Sequence, residues 1–261
     1  METTLPTVSV VIPTADWDHM LWRLNLALQG LCFQTVAPQE VVVVDSIGKT
    51  DKVLDLVSKF TDRLNIKGIK LPDSDIVFRT GGARNRGVAN LSQPCDRILF
   101  LDADCVPFPK VVEAHQKIHR LDLVGLGFRA HIKAHKGMTL NDVYSAPVKS
   151  PDNRISENKI FKDARCCHSH HLSFCYKMFY KIKGFWPCTV ICEDLEIGTR
   201  VMRVKGVFEY IETPKVRHLD HPIWRPYPNK GLPSWHVMPR QSQDLPGYTR
   251  EIPDFLKWGE L

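Results

Sequence analysis

Asp102 and Asp104 stand one residue apart where the apolar run Ile98-Leu99-Phe100-Leu101 ends. In an extended chain, residues two apart point the same way, so both carboxylates converge on one point unless the chain turns between them. Two carboxylate oxygens suit a hard divalent ion, Mg²⁺ or Mn²⁺, of the kind that carries phosphates. Asp is also a good helix N-cap, and a helix is expected to begin near Pro107, so capping is the competing role. Further groups able to do chemistry lie elsewhere: Asp45 at another strand end, the pair Glu193-Asp194 ahead of a helical pattern, and His218 and His221 after a strand. His168, His170 and His171 lie beside Cys166 and Cys167, but this spacing matches no common four-ligand zinc pattern.

The elements that must position these groups follow from the apolar periodicity. Val8-Ser9-Val10-Val11-Ile12 reads as a strand closed by Pro13-Thr14, and Trp17, Met20, Leu21, Leu24, Leu28 and Leu31 recur at helical spacing. Glu40 to Asp45 is a second strand, too continuously apolar to have a wet face, which suits a parallel sheet covered on both sides. A helix through Val53 and Phe60, a strand at Ile66 to Leu71, a helix opened by Gly81-Gly82 and the strand at 98–102 continue the alternation. A helix at 107–119 and a strand at 121–128 come next. This order predicts an α/β fold of Rossmann type, in which ligands sit beyond the carboxyl ends of the strands. Those ends carry Pro13-Thr14, Asp45 and Asp102-Ala103-Asp104.

Residues 131–162 are polar and weakly periodic and are expected to form a flexible acceptor loop or lid. Beyond them come a strand and helix through Phe174 and Phe179, a turn at Gly184-Phe185-Trp186, a helix from Cys192, and closing strands at Val207 to Ile211 and Lys215 to Val216. The tail from Pro222 is rich in Pro, Trp and Gly and reads as a wrapping segment. The expected organisation is therefore one domain with two abutting subregions: a nucleotide-binding half (1–128), an acceptor-binding and catalytic half (129–221), and the tail (222–261).

Composition bounds the function. The 261 residues, 43% hydrophobic and 25% charged, can build a sizeable core. A net charge of +6 suits anionic ligands such as sugar nucleotides, or loose peripheral contact with an acidic membrane face. No dense basic run interleaved with aromatics points to nucleic acid. No Gly-x-Gly-x-x-Gly follows the first strand and no Gly-Lys-Ser/Thr loop occurs, which argues against dinucleotide cofactors and P-loop chemistry. Without a visible signal segment or a run of about 18 apolar residues, and with eight scattered cysteines expected as free thiols, a cytoplasmic location is expected.

The ordered set resembles the family 2 glycosyltransferases of GT-A fold. It comprises Val8 to Thr14, Glu40 to Asp45, Gly82-Ala83-Arg84-Asn85-Arg86-Gly87, Phe100 to Asp104, Lys183-Gly184-Phe185, Glu193-Asp194 and Val216-Arg217-His218. The resemblance spans about residues 7 to 221 and implies transfer of a sugar from a nucleotide-sugar donor to a hydroxyl of a glycan, lipid-linked or small-molecule acceptor. It implies that Pro13, Thr14, Asp45, Arg84, Asn85, Asp102, Ala103 and Asp104 bind the donor. Asp104 and Asp102, completed by His218 with His221 as substitute, would hold Mn²⁺ or Mg²⁺. Asp194 would be the catalytic base, with Glu193 shaping the site, and direct attack would invert the anomeric carbon. Ala15-Asp16 and Ser46-Ile47-Gly48-Lys49 depart from the usual family pattern, and they leave base and sugar identity open. No Gln-x-x-Arg-Trp follows, which argues against a processive polysaccharide synthase.

Two other readings compete. Leu99 to Val106 also looks like the nucleophile strand of haloacid-dehalogenase-like phosphatases, with Asp102 attacking phosphorus and Asp104 as acid/base. A non-catalytic sugar-nucleotide-binding module would keep the fold without turnover. Trp186, Trp224 and Trp235 could stack on an acceptor or fill core space.

Overall fold

The computed structural model describes residues 5–71, 80–149, 160–161, 167–185 and 193–221, and Trp186, Trp224, Trp235, Cys166 and the tail from 222 lie outside them. The chain opens with β1 (Val8–Thr14), α1 (Asp18–Cys32), β2 (Val41–Asp45), α2 (Lys52–Ser58), β3 (Ile66–Lys70), α3 (Thr80–Ala89) and β4 (Arg97–Leu101). After a turn come β5 (Cys105–Pro107), α4 (Val111–Gln116), β6 (Leu123–Ile132), α5 (Leu140–Ser145) and β7 (Ile160–Phe161). The described part closes with β8 (His171–Cys175), α6 (Tyr176–Lys181), α7 (Glu193–Arg203) and β9 (Val207–Leu219).

All the strands join one sheet in the order β3-β2-β1-β4-β8-β6-β9-β5, with β7 on β9. The first four in that order are parallel. β8 enters antiparallel between β4 and β6, β5 and β7 lie antiparallel on β9, and β6 and β9 run parallel to each other, so the sheet is mixed beyond β4. β2 shows why a Val run makes a buried strand. Val41 and Val43 pack with Leu24, Leu28, Val53 and Val57 of α1 and α2, while Val42 and Val44 face Ala83 of α3. Both faces are covered, as the unbroken apolar run requires. α3 has almost no large apolar residue; small ones let it lie close on the sheet, and a Cβ on Gly87 would stand 2.4 Å from Val11.

Local pattern and structure part company where pairing partners are remote. Cys105–Pro107 forms a short strand because β9 pairs with it, Cys105 opposite His218, and the helix begins only at Val111 with Lys110 as its N-cap. The boundary expected after residue 128 falls inside β6, which pairs with β8 and β9 of the same sheet. Within 131–162, the described part holds the end of β6, α5 and β7. Thr139 and Asp142 close a reciprocal capping box on α5, which suffices to start a short helix in a polar stretch. The two closing strands are one, β9, with a register shift where Gly127 and Arg129 pair with it. Among the described residues no helix is long and apolar enough to cross a membrane.

Candidate active site

The carboxyl ends of β1, β2 and β4 lie side by side: Thr14 pairs with Asp45, and β4 runs on the other flank of β1. Asp45 is buried, and its Oδ1 accepts the Ile47 and Gly48 amides at 3.0 and 3.1 Å. Its Oδ2 is buried with no hydrogen-bond partner among the described residues. Burial pushes this carboxyl up against the pull of the Gly48 and Ile47 amides. Leaving a carboxylate oxygen unpaired in the interior is costly, so Oδ2 is an acceptor awaiting a donor. Pro13 and Thr14 form the adjoining strand end, where the Ser46 amide and hydroxyl both donate to the Thr14 carbonyl.

The chain turns at Asp102-Ala103-Asp104, with the Cys105 amide donating to the Asp102 carbonyl, so the two acids part instead of converging. Neither caps α4, which removes the capping role. Asp102 turns toward α3, where Arg84 Nη2 donates to its Oδ1 at 2.7 Å, and Arg84 Nη1 donates to Glu193 Oε1 at 2.8 Å. Arg84 is 1% exposed, so this fully desolvated guanidinium ties β4 to the start of α7. One oxygen of Asp102 is therefore committed to Arg84, and Asp102 is not among the ligand atoms grouped with Asp104. The Asn85 side chain donates to the Phe185 carbonyl at 2.7 Å and accepts the Phe185 amide at 2.8 Å, holding the positive-φ turn at Lys183 and Gly184. Both ends of this side chain are thus engaged with backbone.

Asp104 turns the other way. Its Oδ2 lies 2.9 Å from His221 Nε2 and 3.4 Å from His218 Nε2. Burial opposes its charge, but the two imidazoles outweigh that and hold the carboxyl well below the usual range. The ligand atoms of Asp104, His218 and His221 lie within 4.8 Å of one another. One carboxylate oxygen and two imidazole nitrogens make a mixed set that suits Mn²⁺ and other first-row ions, so the residues fit a resident divalent cation. His218 and His221, offered by the sequence as alternatives, both lie against Asp104. Contacts that hold that segment include the Leu219 amide on the Asp104 carbonyl at 2.9 Å, the Asp220 amide on the Ile132 carbonyl at 3.1 Å, and Arg23 of α1, whose Nη2 donates to the Asp220 carbonyl at 2.6 Å.

Glu193 and Asp194 open α7, where the helix dipole favours negative charge. Asp194 accepts the Leu195 amide at 2.8 Å, and His168 Nδ1 lies 3.7 Å from its other oxygen. Burial first and the Glu193 charge second push Asp194 up to about 6. The remaining histidines of the 168–171 group serve elsewhere: the His170 carbonyl accepts the Asp102 amide, and His171 meets His115 of α4 at 2.9 Å. The Arg84 bridge to Glu193 escaped the sequence because a cation in a Gly-rich helix looks like surface until its packing is seen.

With this geometry the comparisons decide the family. The family model described as Glycosyl transferase family 2 matches residues 9–182, two thirds of the chain. The chain belongs to glycosyl transferase family 2. This membership displaces the phosphatase reading of Asp102. Among curated relatives, validoxylamine A glucosyltransferase of Streptomyces hygroscopicus subsp. limoneus is 37% identical over 116 residues, covering 44% of this chain and 24% of that protein. Chondroitin synthase of Escherichia coli is 25% identical over 251 residues, covering 82% of this chain and 35% of that protein. The chain thus spans about a quarter to a third of the length of these relatives. The crystal structure of S. aureus TarS 1-349 aligns with a TM-score of 0.61 at 16% identity, over 82% of this chain and 60% of that one. The same protein in complex with UDP aligns with a TM-score of 0.58 at 16% identity, over 83% and 61%. At this identity the likeness establishes the fold, GT-A.

Proposed function

We propose that this chain is an inverting glycosyltransferase that moves a sugar from a nucleoside-diphosphate donor to an acceptor hydroxyl with the help of a divalent cation. The observation that carries the reading is the buried Asp104 carboxylate set against His218 and His221 at the same sheet end that presents the unpaired Asp45 Oδ2. That oxygen accepts an N–H of the nucleotide base, beside Pro13 and Thr14. Asp104, His218 and His221 hold the cation. When bound, Mn²⁺ or Mg²⁺ offsets the negative charge that grows on the leaving diphosphate.

Asp102, oriented by Arg84, presents its remaining oxygen toward the ribose side. Asp194 takes the proton of the acceptor hydroxyl as that oxygen attacks the anomeric carbon, and a pKa near 6 leaves it ionised yet basic enough near neutral pH. Glu193 has a double part: it anchors Arg84 and raises Asp194. The UDP in the TarS complex favours a uridine donor, and the relatives, a glucosyltransferase and a chondroitin synthase, favour a glycan-type acceptor.

A donor panel of UDP-, GDP-, dTDP- and CMP-sugars, with and without Mn²⁺, tests the reading. Metal-dependent nucleotide release that Asp104→Ala abolishes is expected. Turnover indifferent to both Mn²⁺ and Asp104→Ala would remove the cation from the mechanism. Donor binding without any turnover would return the chain to a binding module.

A further inference from the structure

His218 has two ring nitrogens, and only Nε2 serves the Asp104 cluster. Its Nδ1 is buried, has no hydrogen-bond partner among the described residues, and faces a second group of ligand atoms. β6 and β9 run parallel with His131 directly opposite His218, so their rings lie on one face with centroids 4.4 Å apart. Asp220 follows β9 and turns back over the same face. Its Oδ1 stands 3.1 Å from His131 Nδ1 and 3.8 Å from His218 Nδ1. These three atoms lie within 4.8 Å of one another. Lys149 pairs with the other Asp220 oxygen at 2.8 Å, which leaves Oδ1 to this group, and its ammonium is mostly exposed.

We propose that His131, His218 and Asp220 form a second transition-metal site, of two imidazole nitrogens and one carboxylate oxygen, that competes with the Asp104 site for the His218 ring. The donor set suits Zn²⁺ or Co²⁺, with water completing a tetrahedral shell, better than it suits Mg²⁺. An ion there gives the orphaned Nδ1 the partner it lacks. A neutral imidazole has one lone pair and one N–H. Ligation through Nδ1 therefore moves the proton to Nε2, which then donates to Asp104 Oδ2 across the gap now measuring 3.4 Å. The ring cannot serve both ions in its neutral form, so Zn²⁺ in the second site withdraws a ligand from the first. The competition rests on the proposed function; the second site itself does not.

The test uses Co²⁺ as a visible stand-in for Zn²⁺ on the full chain carrying Asp104→Asn, which weakens the first site. A tetrahedral-type Co²⁺ absorption band is expected to persist in that variant. Adding His131→Gln or Asp220→Asn, two substitutions of different kinds checked by circular dichroism, is expected to weaken Co²⁺ binding at least tenfold. In the unsubstituted chain, excess Mn²⁺ is expected to weaken Co²⁺ binding. No band in the Asp104→Asn chain, or a band that neither added substitution changes, overturns the second site. A band indifferent to Mn²⁺ overturns the competition. A wrong assignment of the Asp104 site shows itself separately, as Mn²⁺-dependent turnover that survives Asp104→Ala.

Discussion

The charge on Asp194 should set the acid limb of the reaction, and Glu193 should set where that limb lies. Asp194 rises from an ordinary 3.8 to about 6 because the protein buries it and because Glu193 stands beside it. As a base it works only when ionised. About nine-tenths of it is ionised at pH 7 but only about one-tenth at pH 5, so kcat/KM should level off above pH 7 and fall about tenfold per unit well below 6. An unperturbed Asp would place that fall near pH 4. Glu193→Gln removes the neighbouring negative charge and leaves Arg84 close by with one carboxylate partner, Asp102, instead of two. Both changes favour the Asp194 anion, so the inflection should move toward the acid side.

The assay is nucleotide release from the preferred UDP-sugar at fixed Mn²⁺ across pH 4.5 to 8.5. A profile flat through about pH 6, or an inflection that Glu193→Gln leaves in place or moves upward, would refute the assignment. The same shift is also a stability statement. A raised carboxyl pKa means the fold prefers the protonated form. The contribution, on the order of 3 kcal/mol for about two pH units, is complete below pH 3.8 and is lost as pH rises through about 6. Asp194→Asn should therefore abolish transfer while leaving urea stability at pH 8 equal or higher.

Three further outcomes follow from the same contacts. Arg84→Met leaves Asp102 and Glu193 without their shared cation and should cost about 3–5 kcal/mol in urea unfolding; Arg84→Lys, lacking a fork that reaches both carboxylates, should recover little of it. Asn85→Ala strands both backbone groups of Phe185 and should cost about 2–4 kcal/mol of stability, with donor affinity in the surviving folded protein unchanged by calorimetry. Asp45→Asn keeps an oxygen for the Ile47 and Gly48 amides but puts an NH₂ where Oδ2 was; it should cost about 1.5–3 kcal/mol of UDP binding, with little change in melting temperature.

Most strands could be read locally; the short β5 and β7 could not, and β9 read as two. Val41 to Val44 is apolar at every position, as a strand covered on both faces requires, and Asp45 and Asp102 mark the points where such runs end at the carboxyl edge of the sheet. The pairing of Glu193 with Asp194 at a helix start was equally visible, because helix-dipole and periodicity rules act over a few residues. What local pattern left open was direction. Asp102 and Asp104 look equivalent in sequence, yet one turn of backbone sends the first to Arg84 and the second to His218 and His221.

That choice depends on partners 18, 114 and 117 residues distant (102−84, 218−104 and 221−104). Those partners are placed by β5 pairing with β9 and by α3 lying on β1. The same holds for Asn85, which looks like a ligand-binding amide and proves to brace Phe185, and for His131, which reads as loop and lies opposite His218 in the sheet. The sequence by itself determined the family, the sheet and the acids at its rim. Only the tertiary structure decided which nitrogen meets which oxygen, because cross-strand register and helix-on-sheet contact join residues that no local window contains.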